Sequence, residues 1–103
     1  MLMKRFLLFS DNTTDIIECP DLIVDNYSYY NDEFVKWIYN PENDHGYWII
    51  DEEGSRILDF EGDAFVDWLN DGPLRDSEEK ARYVKRNYKP THYEMNSMLR
   101  IYV

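Results

Sequence analysis

Two histidines, one cysteine and a large excess of carboxylates are the side chains of this 103-residue chain that could do chemistry. His45 lies beside Asp44 in a polar stretch, and His92 follows Pro90-Thr91. Either imidazole could act as a general base if a nucleophile lay within hydrogen-bond reach. With one cysteine and five serines many such pairs can be imagined, and nothing in the spacing fixes one. Both histidines therefore read as surface residues, and the chain as non-enzymatic. Cys19 is alone, which excludes an intrachain disulfide and a four-cysteine zinc site. A thiolate needs an electropositive setting, and this one is acidic, so Cys19 is expected to be a small buried apolar residue.

Carboxylates raise the question of metal binding. A calcium loop of the EF-hand kind needs alternating oxygen ligands, a glycine at its sixth position and a glutamate at its twelfth. Glu42-Asn-Asp-His-Gly46 and Asp59-Phe-Glu-Gly62 each hold a fragment of that pattern, and neither has the full ladder. Asp51-Glu52-Glu53 could hold a weak divalent ion, but a solvated turn is the plainer reading, because clustered acids usually stay in water. No glycine-rich phosphate loop exists. No metal and no cofactor are expected.

The elements that must position these residues follow from periodicity. Lys4 to Ser10 is a short apolar run closed by Ser10-Asp-Asn, a buried strand and turn. Asp15 to Asp25 suits strands through Ile16, Ile17, Leu22, Ile23 and Val24, with Cys19-Pro20 breaking the run or placing it at an edge. Asn26 to Asn31 reads as a tyrosine-rich loop. Asp32 to Asn40 sets Phe34, Trp37 and Ile38 on one helical stripe, with acids in the first turn, and Pro41 ends it. Tyr47 to Asp51 and Ser55 to Phe60 flank Glu52-Glu-Gly54 as a hairpin. Asp63 to Asn70 repeats the helical stripe with Phe65, Trp68 and Leu69, Asp63 as its N-cap and Asp71-Gly-Pro73 as its stop. Ser77 then caps a third helix, Glu78 to about Asn87, and Met98 to Val103 is a closing strand. The expected fold is a single α+β domain over residues 1–103. It has a small, mainly antiparallel sheet of N-terminal strand, central hairpin and C-terminal strand, with about three helices on one face.

Asp32-x-Phe-Val-x-Trp-Ile and Asp63-x-Phe-Val-x-Trp-Leu match closely, 31 positions apart. Two copies are too few for a solenoid, and such a stripe is the ordinary pattern of a core-facing helix.

Charge supplies the functional direction. Between Asp11 and Glu79 there are 20 acidic residues and 3 basic ones, whereas Lys80 to Val103 holds 6 basic and 1 acidic, within a net charge of −10. With 17% aromatic and 44% hydrophobic residues the chain is not a disordered acidic segment. The basic stretch Lys80 to Lys89, with Tyr83 and Tyr88 interleaved, could contact phosphates and stack bases. Acids leading into bases along one helix suit its dipole, however, and the rest of the chain would repel nucleic acid, so no direct nucleic-acid binding is expected. The start of the chain lacks a long apolar region and a cleavage site. No run is long enough to span a bilayer, and acidic surfaces avoid anionic membranes. A cytoplasmic protein with no membrane partner is the expectation.

What remains is an acidic, tyrosine-bearing face: Asp32, Glu33, Asp51, Glu52, Glu53, Asp63, Asp67 and Asp71, with Tyr29, Tyr30 and Tyr47 among them. Tyrosine adds rigid contact area with a polar tip. The pattern implies an inhibitor that covers a basic protein partner, such as a nuclease or another nucleic-acid-binding effector, in the manner of a toxin-neutralising immunity protein or a phage anti-defence protein. The alternatives are an adaptor or structural subunit binding through an apolar, tyrosine-rich patch, and a weak metal binder or small enzyme. No oligomeric state is specified by the pattern.

Overall fold

A computed structural model describes residues 2–103, and Met1, the first residue of the basic and apolar start of the chain, lies outside the described residues. The chain runs β1 (Met3–Phe9), β2 (Thr14–Pro20), α1 (Asp21–Asp25), α2 (Tyr27–Tyr39), β3 (Trp48–Ile50), β4 (Arg56–Leu58), α3 (Gly62–Asp71), β5 (Arg82–Lys85), α4 (His92–Ser97) and β6 (Leu99–Tyr102). The class is α+β. A four-stranded sheet has the order β5-β2-β1-β6, and β3-β4 forms a second sheet.

Alternation in β1 and β2 decides the layering. Phe6 and Leu8 on β1, Ile17 and Cys19 on β2, and Ile101 on β6 belong to one buried cluster with Phe34 and Ile38 of α2 and Ala64, Phe65 and Leu69 of α3. The register pairs Phe6 with Ile17, so residues two apart present the same face to these helices. Leu7 and Ile16, also paired, point the other way and are buried as well. β5 and β6 lie at opposite edges, so the chain joining them must cross β2 and β1. That crossing carries the half-buried Tyr88, Met95 and Met98.

α3 is seated by a close approach. A Cβ on Gly62 would lie 2.8 Å from Leu8 Cδ2 and 3.3 Å from Asp15 Oδ2, so any larger residue would displace the buried Leu8 side chain where the first turn rests on β1 and β2. Asp15 is the buried charged residue of that contact, and its carboxylate accepts the Asn87 backbone N–H at 2.9 Å. Asn87 itself adopts a positive φ of 49°, a conformation asparagine tolerates.

Several expectations need correcting. The hairpin is where the sequence places it, but it stands as a separate two-stranded sheet, and the C-terminal strand joins β1 in parallel. Antiparallel partners of the main sheet come instead from β2 and β5. Asn26 to Asn31 is not a loop: α2 begins at Tyr27, which moves Asp32 and Glu33 out of its first turn. Leu22, Ile23 and Val24 lie in α1 rather than a strand, because Pro20 closes β2 and leads into the helix. Asp63 is not an N-cap. Glu61 holds that position without a side-chain bond, and the Asp63 carboxylate accepts from the N–H of Ala64.

The largest correction concerns the basic stretch. No helix forms over Glu78 to Asn87; Ser77 closes a turn by accepting the Glu79 N–H, and Arg82–Lys85 pairs as an edge strand with β2. No macrodipole orders these charges. Four of the five cations are engaged instead by the chain itself. Arg82 binds Glu18, Arg86 lies over Tyr83, Lys85 over Tyr88, and Lys80 donates to the carbonyls of Leu74 and Arg75. No helix of the described residues is long and apolar enough to cross a membrane.

Candidate functional site

α2 and α3 meet through aromatic rings. Phe34 contacts Phe65 edge-on at 5.2 Å between ring centres and Trp68 at 5.8 Å, the favourable geometry for such pairs. Both phenylalanines are fully buried, while Trp37 and Trp68, three residues further along each helix, are only half-buried. The matched segments thus use Phe and Trp alike, but not Val. Val66 is 3% exposed and Val35 40%, so the helices are not equivalent copies.

The loop between α2 and β3 folds back to complete a wall. His45 Nε2 lies 2.9 Å from the carbonyl of Ile38, and its Nδ1 accepts the Tyr47 N–H at 3.2 Å. A ring that accepts at Nδ1 and meets a carbonyl at Nε2 is the neutral tautomer protonated on Nε2. The ring is packed between Trp37 and Trp48, with centroids 4.8 Å and 5.6 Å away. Asn43 bonds the Trp37 carbonyl and accepts from Trp48 Nε1, both at 2.8 Å. His45, expected on the surface, is therefore a half-buried strut with both nitrogens occupied.

Between these parts lies a groove of about 500 Å³. Trp37, His45, Tyr47 and Trp68 line it together with the carboxylates of Asp67 and Asp71. A second hollow of about 350 Å³ shares Trp68 with it and is otherwise lined by Tyr29, Tyr30, Glu33 and Pro73. Tyr47 donates weakly to Asp67 at 3.4 Å. Burial first, then the carboxylates of Asp67 and Asp63, push the Tyr47 phenol up to about 12, so it remains a neutral donor at physiological pH.

Asp63, Asp67 and Asp71 are spaced four apart and so fall along one side of α3, where like charges cost a few tenths of a kcal/mol per pair (about 0.2–0.5). Among the described residues no cation pairs with them. Among the described residues no carboxylate between Glu42 and Glu79 is in an ion pair, and the ion pairs present involve Glu18, Asp25 and Glu33. No three His, Cys, Asp or Glu side chains of the described residues converge on a shared metal position.

The structure brings together Tyr47, Asp67 and Asp71 at the groove, and Tyr29, Tyr30 and Glu33 at the neighbouring hollow, with Asp63 one turn along α3 beside Tyr47. Asp32 is exposed on α2 and lines neither. Asp51 serves the fold instead. Its Oδ1 accepts the N–H groups of Glu53 and Ser55, at 2.9 Å and 2.8 Å, and holds the hairpin turn that Gly54 completes at φ +84°. Only Glu52 and Glu53 of that tip present unengaged carboxylates. Beside them the hairpin exposes Ile49, Ile50 and Ile57.

Trp37, Trp68 and His45 were not among the expected site residues. The two tryptophans carry the one usable signal, a shared Asp-x-Phe-Val-x-Trp spacing, which the core reading absorbed entirely. His45 carried none, since its partners are backbone groups of Ile38 and Tyr47.

Compared with protein-family models, curated proteins and solved structures, the chain matches none of them.

Proposed function

We propose that this chain is a non-enzymatic acidic inhibitor that binds a basic, nucleic-acid-handling protein and covers its working surface. The observation that carries this reading is the uncompensated carboxylate field from Glu42 to Glu79, beside a preformed aromatic groove. Carboxylates placed in like-charged rows cost self-repulsion in the free protein, and a cationic surface would relieve it on binding. Aromatic rings next to them supply contact area that loses little entropy when buried.

The test is to recover partners at low salt, identify them by mass, and assay each for loss of activity when this protein is added. An inhibited basic partner whose association slows as salt rises supports the reading. Partners that bind with no change in their activity contradict it.

A second reading, an adaptor that docks through an apolar patch, is favoured by the hairpin alone. Ile49 and Ile57 face each other across β3 and β4 and are both exposed, and Ile50 is 64% exposed on the opposite face. A two-stranded sheet this apolar and this little covered gains most from a partner's surface. Such docking would be insensitive to salt.

A further inference from the structure

We infer that the groove between α2 and α3 receives an arginine side chain of the basic partner, its guanidinium laid on the indoles of Trp37 and Trp68 and paired with Asp67 and Asp71. This rests on the reading above that the partner is a basic protein, and it adds which side chain is recognised and where.

Three observations converge on arginine. First, the groove's lining combines flat aromatic rings with two carboxylates four residues apart on α3. A planar cation that stacks on a ring and offers a fork of N–H donors satisfies both at once, whereas a lysine ammonium is a strongly hydrated point charge. Second, the chain uses this pairing internally. The Arg56 guanidinium sits 4.5 Å from the ring centre of Trp48, and that of Arg86 lies 4.1 Å from the ring centre of Tyr83. Trp48 is thus already capped, while among the described residues no cation lies over Trp37 or Trp68. Third, the groove is built before any partner arrives. His45 and Asn43 brace its outer wall through backbone bonds to Ile38 and Trp37, and buried Phe34 and Phe65 support its floor. A preformed site loses little free energy to ordering on binding.

The protein's three tryptophans make a direct test possible, because each indole N–H gives a separate NMR signal. N-acetyl-arginine amide is titrated into the full chain, with N-acetyl-citrulline amide as the neutral isostere and N-acetyl-lysine amide as the second cation. The expected result is saturable movement of the Trp37 and Trp68 signals with the arginine probe and little movement of Trp48, whose N–H is held by Asn43. Citrulline should bind at least about tenfold more weakly, and lysine about fivefold.

Asp67→Asn with Asp71→Asn removes the charges from two exposed positions without touching the core. It should weaken the arginine probe about tenfold while the spectrum elsewhere stays that of the folded protein. Trp68→Phe, which keeps an aromatic ring over Phe34, should weaken it less. Equal binding of citrulline, no saturable shift at Trp37 and Trp68, or indifference to the double aspartate change overturns the inference. The inhibitor reading fails separately: a probe that binds as expected while every recovered partner keeps its activity leaves the arginine site standing and removes the inhibition.

Discussion

Glu18 on β2 lies between two guanidinium groups, with Arg5 and Arg82 each donating to it at 3.0 Å, and its side chain is only 12% exposed. Asp67 on α3 faces the opposite situation, with a long bond from the Tyr47 hydroxyl and further carboxylates one turn to either side. Along the sheet, Glu18 and Asp15 are consumed by the fold. Around the helix pair and hairpin, apart from Glu33 paired with Lys36 and Asp51 in its turn, the carboxylates have no cationic partner among the described residues. A protein that needed acids only for its own architecture would have spread its cations among them. This chain instead sets Lys80, Arg82, Lys85 and Arg86 on β5 and the segments beside it, where they bind Glu18, tyrosine rings and carbonyls. The two regions teach that charge content alone says little, and that the unpaired fraction locates a surface free to meet something else.

The contrast can be broken most severely at the support shared by both regions. Phe65→Ala opens a cavity beneath the groove and beside the sheet, and should cost about 3–5 kcal/mol, enough to unfold much of the protein. Urea denaturation followed by tryptophan fluorescence measures it. A loss below about 1 kcal/mol would mean the helix pair is not the core described here.

Charge removal should then separate the regions. Asp63→Asn, Asp67→Asn and Asp71→Asn together should leave stability unchanged or raise it by a few tenths of a kcal/mol (about 0.5), since they relieve like-charge rows. The same triple should slow association with a basic partner about tenfold at low salt. Glu18→Gln should do the reverse, lowering stability and sparing association.

pH sharpens that difference. Hydrogen bonds from Arg5 and Arg82 hold the Glu18 carboxyl below its ordinary value of 4.5. A carboxyl lowered in the folded state contributes stability that is complete above the unfolded value and is lost as pH falls through the folded one. Acid unfolding below about pH 4.5 should therefore be shallower in Glu18→Gln, read from melting temperatures against pH. A profile that superimposes on the wild type would remove Glu18 from the account.

The smallest effects belong to the hairpin tip. Glu52→Ser with Glu53→Ser should lower the association rate a few-fold, with about threefold expected, and leave melting untouched. Asp51→Ser should instead destabilise the turn, because its carboxylate serves two backbone N–H groups. A matching response of all three would deny the division of labour at the tip.

Much of this architecture could be read from periodicity. β1, the hairpin, α3 and β6 fall where apolar spacing and turn residues place them, because each is decided by local pattern. The failures share a cause. Lys80 to Lys89 has the composition of a helix with a serine before it, yet pairing of Ile17 with Tyr83 and Glu18 with Arg82 draws it into the sheet. Only the distant partner strand makes that choice. Tyr27 to Tyr30 has middling helix propensity and becomes helical because α2 buries Phe34 and Ile38. The carboxylate half of the site was legible as charge. Its aromatic half was not, since a Phe-x-x-Trp stripe predicts burial and cannot say that the phenylalanines go under while the tryptophans stay at a groove.

A basic partner, on the function proposed above, meets the unpaired carboxylates around the groove. The most direct measurement is the association rate with a recovered partner across a range of ionic strength, for the wild type and for the triple aspartate-to-asparagine variant on α3. The wild-type rate should fall steeply with salt, and the variant should show a slower, flatter profile that converges with it at high salt. Profiles that coincide, or a wild-type rate indifferent to salt, would contradict that mode of binding.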